Sequence, residues 1–229
     1  MKAFFITGTD TEIGKTAITA GLTHLAAMAG LRSLAVKPVA AGQDWIDGQW
    51  VNDDVQRLLA ATTLPLNAQQ VGPLQLRTAC APHVAAQLEG VTIERAALIH
   101  AVQTTLAMGE LGFVEGVGGF RVPLAPDWDT ADMACDLGLP VVLVVGLRLG
   151  CINHALLTAE AIRSRGLTLA GWVANTVDAN LLHADANLHA LANGLQAPCW
   201  GHVPRLAPPS AEAVAACLNW NALCEAMNK

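Results

Sequence analysis

The stretch "GTDTEIGKT", Gly8 to Thr16, follows the apolar run "AFFIT" and leads into the helical pattern "AITAGLTHLAAMAG". It has one residue more between its glycines than the common phosphate-binding loop, but the physics is the same. Gly14 and its neighbours can turn backbone N–H groups inward around a phosphate, and the following helix N-terminus adds partial positive charge. Lys15 can reach β- and γ-phosphates, and the Thr16 hydroxyl can ligate Mg²⁺. The plain alternative is a glycine-rich turn with a solvated lysine. Against it stand the intact Gly-Lys-Thr triplet and its position between a strand pattern and a helix pattern.

Lysine is scarce in this chain: only Lys2, Lys15, Lys37 and Lys229 occur. Two sit at the chain ends and two at the ends of strand patterns, where open parallel sheets bind ligands. Pro38 biases Lys37 toward extended backbone and so toward a strand tip, although a surface lysine would read the same way. Glu115, in "GFVEGVGG", follows an apolar strand in the usual place for a metal carboxylate. Gly116, Gly118 and Gly119 after it permit close approach of backbone to a ligand. Asp53 and Asp54, in "VNDDVQRL", open a helix, where an acid can serve as metal ligand or merely as helix cap or dipole partner.

Strand patterns at 3–7, 33–39, 111–116, 140–146, 167–175 and 198–203 position these residues. They alternate with helical patterns near 15–29, 53–61, 92–108, 130–137, 152–165, 182–193 and 211–226. Strand–helix alternation with continuously apolar strands predicts one α/β domain over 1–229, a mostly parallel sheet with helices on both faces. Residues 40–90 are the least regular and read as a substrate wall or lid, with His83 as a further wall candidate.

Composition narrows the function classes. Hydrophobic residues make up 53% and charged ones 14%, which excludes a disordered acidic chain. A net charge of −6 offers no basic footprint for nucleic acid. The N-terminus lacks a signal-peptide apolar stretch, and "LPVVLVVGL" is too short to span a bilayer, so a cytoplasmic protein away from membranes is expected. The six cysteines show no C-x-x-C pair and read as small buried hydrophobes, with Cys217 and Cys224 on one helix face.

Together, Gly8–Thr16, Lys37-Pro38, Asp54, Glu115–Gly119, "LGCINHALLTAEAI" (149–162) and "GWVAN" (171–175) resemble the dethiobiotin synthetase family, with matching spacing from residue 1 to about 206. The resemblance implies a P-loop fold and an ATP- and Mg²⁺-dependent ring closure of 7,8-diaminopelargonic acid with CO₂ from bicarbonate. By similarity Lys15 and Lys37 are catalytic, and Thr11, Lys37 and Ala41 lie against the diamine or its carbamate. Glu12, Ile13, Gly14, Lys15 and Thr16 take the phosphates, with Gly116 and Gly118 also in the nucleotide site. Thr16, Asp54 and Glu115 would hold Mg²⁺, while Asn175, Thr176, Pro204, Arg205 and Leu206 would receive the adenine. The family's pattern further implies a homodimer with shared sites, in which Gly150, Cys151, Ile152 and Asn153 hold the substrate carboxylate of the neighbouring subunit.

Two positions depart from the family pattern. Ala41 stands where a hydroxyl residue is frequent, and Ala211, next to Glu212, where an acid near the adenine or ribose is frequent. A second function class, a P-loop switch or partitioning ATPase, would call for a second lysine inside the loop and a basic amphipathic tail. Thr9 to Ile13 contain no lysine, and "EAVAACLNWNALCEAMNK" is nearly uncharged.

Overall fold

The computed structural model describes residues 1–228. The chain opens with β1 (Lys2–Gly8), the glycine loop and α1 (Lys15–Met28), then β2 (Ser33–Val36). Next are β3 (Val39–Ala41), β4 (Asp44–Ile46), β5 (Gln49–Val51), α2 (Asp53–Ala61), α3 (Ala68–Val71), β6 (Leu74–Leu76) and α4 (Pro82–Glu89). Then come α5 (Arg95–Leu106), β7 (Leu111–Glu115), β8 (Pro123–Ala125), β9 (Trp128–Asp129), α6 (Thr130–Leu137) and β10 (Val141–Leu147). The last part comprises α7 (Cys151–Ser164), β11 (Leu169–Thr176), α8 (Ala184–Leu195), β12 (Cys199–Val203), α9 (Ala211–Ala215) and α10 (Trp220–Met227).

Six of these strands form one sheet in the order β12-β11-β10-β1-β7-β2, every neighbouring pair parallel. Side chains alternate across it. Phe5, Val114, Leu143 and Val145 face a core closed by α5, α7 and α8 through Val102, Ala155, Ile162 and Leu195. Phe4, Ile6, Phe113, Val142 and Val144 face the other, closed by α1, α9 and α10 through Ile18, Leu22, Val214 and Leu223. Both faces are therefore dry, which is why these strands read as continuous apolar runs. The neighbours of β1, β7 on one side and β10 on the other, lead the chain off in opposite directions, and the glycine loop sits at that switch point.

Four expectations need correction. The predicted strand 33–39 is two strands broken at Lys37-Pro38: Pro38 has no N–H to donate, and the Lys37 N–H bonds to Val71 O at 2.7 Å, so the chain leaves the main sheet and β3 pairs with β6. Residues 40–90 are not irregular, since β3-β6, the β4–β5 hairpin and three helices order them. The predicted helix 211–226 is split, because Leu218 bridges Gly201 and the Asn219 N–H bonds to Trp200 O at 2.7 Å, after which the Asn219 side chain caps α10. Cys217 falls in that break, so it shares no helix face with Cys224. Of the six cysteines only Cys151 is buried, and Cys80 and Cys199 are exposed.

Candidate active site

The glycine loop is shaped by two close approaches. Gly8 leaves room for the Ile13 side chain and the stem of Lys15, whose nearest atoms would lie 2.7 and 3.1 Å from a Cβ there. Gly14 has φ +84°, and a Cβ on it would meet Asn175 Nδ2 at 2.4 Å. No side chain caps α1 and no acid lies in its first turn, so its N-terminal N–H groups remain available to an anion.

Lys15 lies under the loop with Nζ donating to Asp10 O at 3.0 Å. Burial lowers its pKa to about 8; Lys37 adds to the effect, while Glu115 and Asp54 oppose it. An anion arriving at the loop favours the ammonium and opposes this lowering.

Lys37 and Glu115 meet through sheet register. Val36 pairs with Val114, so Lys37 just past β2 comes level with Glu115 at the end of β7. Lys37 Nζ donates to Glu115 Oε1 at 2.7 Å and to Asp54 Oδ2 at 2.5 Å. The Thr16 hydroxyl lies 2.7 Å from Asp54 Oδ1 and 2.8 Å from Glu115 Oε1. Burial alone would lower the Lys37 pKa, but the two carboxylates outweigh it and raise it. Burial likewise pushes the Asp54 carboxyl up, and Lys37 with Thr16 overcomes that and holds it below the ordinary range.

The capping alternative for Asp54 falls here. The cap of α2 is Asn52, whose side chain accepts from the Val55 N–H at 3.1 Å and donates to Gly42 O at 2.6 Å. Asp54 is therefore free of capping duty and faces Thr16 and Lys37. Asp53 points outward to Arg57.

Among the described residues no group of three or more His, Cys, Asp or Glu converges as a metal site. The set here is instead one hydroxyl and two carboxylates, and Glu115 Oε2 is buried with no hydrogen-bond partner. Hard oxygen donors in small number suit Mg²⁺, which takes its remaining ligands from water and phosphate.

These groups line one cleft of about 1020 Å³. Thr11, Glu12, Gly14, Lys15, Thr16, Lys37, Ala41, Asp54, Glu115, Gly118, Asn175, Thr176, Pro204, Arg205 and Leu206 all border it. At its far end Arg205 donates to Val177 O at 2.6 Å, tying the loops after β11 and β12 together, and Thr176 Oγ1 lies 2.9 Å from His202 Nε2 between the two strand ends. Asn175 donates to Ile13 O at 2.7 Å, linking that end to the glycine loop.

Several expected residues lie elsewhere. Ile13 is core, reaching the site only through its carbonyl. Gly116 donates to Ile6 O at 2.9 Å and packs on Phe5, so it completes the sheet rather than lining the cleft. Gly150, Cys151, Ile152 and Asn153 begin α7 outside the cleft of their own chain, beside Leu149, which is 90% exposed. His83 does not line the cleft, but the preceding Ala79–Pro82 does.

Sequence reasoning missed three contributors. Arg57 borders the cleft, and its i+3 spacing from Asp54 was a usable signal. Ala79, Cys80, Ala81 and Pro82 border the cleft within the stretch that reads as a substrate wall or lid, but its pattern singles out none of them. Asp10 pairs with Arg148 and accepts from the Thr11 N–H, and only the fold brings Arg148 to it.

The sequence matches a protein-family model described as an AAA domain over residues 2–213. A curated relative from Aromatoleum aromaticum, named ATP-dependent dethiobiotin synthetase BioD, is 52% identical over 217 residues, covering 95% of this chain and 96% of the relative. A relative of the same name from Janthinobacterium is 52% identical over 223 residues, covering 96% and 94%. Among solved structures, a MinD septum site-determining protein from Pyrococcus horikoshii, complexed with Mg-ADP, superposes with TM-score 0.57 at 16% identity, covering 93% of this chain and 86% of that one. A ParA family ATPase from Chlorobium tepidum gives 0.56 at 13%, covering 94% and 91%. At such identities the two structures share the P-loop fold and nothing narrower.

Proposed function

The chain belongs to the ATP-dependent dethiobiotin synthetase family, ligases of biotin biosynthesis, and from that premise we propose that it closes the ureido ring of dethiobiotin from 7,8-diaminopelargonic acid, CO₂ and ATP. The observation that carries this reading is the cleft itself. An uncapped helix N-terminus with Lys15 lies beside a second buried lysine, Lys37, held by two carboxylates.

The steps follow from the groups present. One amine of the diamine adds CO₂ and loses a proton, giving a carbamate. A carbamate oxygen attacks the γ-phosphorus, ADP leaves, and a mixed carbamic-phosphoric anhydride forms. The second amine then attacks the carbamate carbon, phosphate leaves, and the ring closes with loss of a proton. No protein nucleophile is needed, because a substrate nitrogen supplies the attack.

Lys15 and the first N–H groups of α1 hold the phosphates in line and offset charge on the transferring group. Lys37 holds the carbamate anion, whose oxygen is a poor nucleophile unless fixed at the phosphorus. Thr16, Asp54 and Glu115 would hold Mg²⁺, which would supply positive charge against the phosphates. Asn175 fixes the loop through its amide nitrogen and keeps its carbonyl for a donor on the base, with Thr176 and Pro204–Leu206 as the surrounding walls. Ala41, Ala79 and Ala81 face the substrate with methyl groups, so hydroxyl contacts are replaced by apolar ones on that side.

The diamine also carries a carboxylate at the far end of an aliphatic chain. The start of α7, with Gly150 at φ +93° and no side-chain cap, has N–H groups suited to it but lies outside its own chain's cleft. A homodimer in which Gly150–Asn153 of one subunit complete the site of the other reconciles these facts. The exposed Leu149 before that helix and Leu157 on it are in keeping with a covered surface.

The deciding experiment incubates purified protein with the diamine, bicarbonate, Mg²⁺ and ATP. Dethiobiotin and phosphate appear in equal amounts if the reading holds. Phosphate released without dethiobiotin rejects it in favour of a simple ATPase.

A further inference from the structure

We infer that Lys37 is the internal counter-ion of the metal site: its ammonium and a divalent cation compete for the same two carboxylates, Asp54 and Glu115, with Glu115 Oε1 shared directly, so that loading the cation releases Lys37 toward the reacting carbamate. This rests on the reading of Thr16, Asp54 and Glu115 as the metal-holding set.

Three observations lead to it. First, Lys37 Nζ bonds to Asp54 at 2.5 Å and to Glu115 at 2.7 Å; Lys37 and Glu115 are 5% and 0% exposed, so that pair is dry, while the Asp54 side chain, 38% exposed, opens the cluster to the cleft. Second, the Thr16 hydroxyl approaches Asp54 Oδ1 at 2.7 Å and Glu115 Oε1 at 2.8 Å, yet it has one proton and can donate to only one of them. The two Thr16–carboxylate contacts thus share one hydroxyl hydrogen, so one close oxygen–oxygen pair has no hydrogen of Thr16 between its members, an arrangement that a cation satisfies and a hydroxyl does not. Third, Glu115 Oε2 is buried and without a partner, so this carboxylate has acceptor capacity that neither Lys37 nor Thr16 uses.

Charge decides which group yields. Asp54 and Glu115 carry two negative charges, and Lys37 with Lys15 carries two positive ones, so the cluster is balanced as it stands. A divalent cation drawn to the same oxygens leaves Lys37 facing a net positive neighbour at short range, where little water intervenes to screen the repulsion. The carboxylates are held by a strand end and a helix start, whereas the ammonium rides on a flexible four-carbon stem. Lys37 is the member that can move, and the cleft it borders holds the anionic partners, phosphate and carbamate, that receive it. Carbamate capture is thereby made to depend on prior loading of the cation.

The test uses Mn²⁺ alone, without nucleotide, titrated into the full-length protein and into Lys37→Met with electron paramagnetic resonance reporting free Mn²⁺. Competition predicts at least tenfold tighter binding to Lys37→Met. Equal or weaker binding, or none to either protein, overturns it. A second measurement leaves the wild-type chain intact: because the sequence has four lysines, their side-chain ammonium NMR signals can be resolved, with Lys37→Arg supplying the assignment. Mg²⁺ addition should shift the Lys37 signal and speed exchange of its protons with water. A Lys37 signal that stays fixed while Mg²⁺ binds overturns the inference. Mn²⁺·ADP binding to Asp54→Asn and Glu115→Gln separates the two levels. If those variants bind it as wild type does, the metal-site reading itself fails; if they lose it while Lys37→Met matches wild type, only the competition fails.

Discussion

Asn175 reaches from the end of β11 to the carbonyl of Ile13, 162 residues away in sequence, at 2.7 Å, and the missing side chain of Gly14 is what lets it pass. Gly14→Ala therefore meets two obstacles, a contact at 2.4 Å and a φ of +84°. The left-handed conformation alone costs about 1–2 kcal/mol, or roughly tenfold in an equilibrium constant. ATP affinity measured by calorimetry should fall at least that far, and Asn175→Ala in the same background should recover only the steric part.

Lys15→Ala should lower kcat/KM by on the order of 10³-fold, because the lost cation faces charge that builds on the transferring phosphoryl group. Steady-state phosphate release with saturating diamine checks it. Normal turnover would remove the phosphate-loop assignment.

The lowered Lys15 pKa gives a signed pH effect. Folding drops it from 10.5 to about 8, so between those values the unfolded chain binds more protons than the folded one. The penalty is fully present below pH 8 and relieved as pH rises toward 10.5, at most ~3 kcal/mol by the linkage relation. Bound phosphates favour the ammonium and reverse the shift. ATP binding at pH 8.5 should therefore take up protons, visible as a dependence of calorimetric enthalpy on buffer ionisation enthalpy, and affinity should decline as pH climbs above 8. Proton release, or none, contradicts this.

Lys37→Gln should still bind ATP but make dethiobiotin on the order of 10²–10³-fold more slowly, since only the carbamate loses its cation. Nucleotide titration alongside product analysis decides the matter. Loss of ATP binding with carbamate capture intact would exchange the roles of the two lysines.

Shared sites can be tested by mixing Lys15→Ala with Gly150→Asp, each nearly inactive alone, under conditions that exchange subunits. A mixed dimer then has one site with both lesions and one with neither, so activity should return toward half of wild type. If exchange is demonstrated and activity stays absent, each subunit carries its own complete site.

Ala211 begins α9 behind the Ser210 cap and is not among the residues bordering the cleft, whereas Pro204–Ala207 and Pro209 are. With no carboxylate at position 211 to pair with ribose or base, discrimination between ATP and CTP or GTP should be modest, since one such pairing is worth ~1–3 kcal/mol. A preference above about a thousandfold would show that another group reads the base.

Local pattern carried the six sheet strands and most of the long helices, because strand and helix periodicities are short-range and both sheet faces are buried. Pattern failed where long-range pairing overrode it. Nothing within 211–226 announces that Leu218 will bridge Gly201, although Asn219 was a readable cap. The order in residues 40–90 was hidden for a related reason: β3 and β6 are three residues each and exist by pairing with one another.

The sequence by itself determined the phosphate loop, since Gly8 to Thr16 is contiguous and its backbone geometry follows from its own glycines and the helix it opens. It also marked Lys37, Asp54 and Glu115 singly, as charged residues at element ends. Only the tertiary structure decided that they meet. Lys37 and Glu115 are 78 residues apart and touch because β2 lies beside β7 in matched register, and Asp54 joins them because Asn52 has taken the cap of α2. Strand order in a sheet depends on how whole elements bury their apolar faces together, and that sum has no local signature in any one stretch of chain.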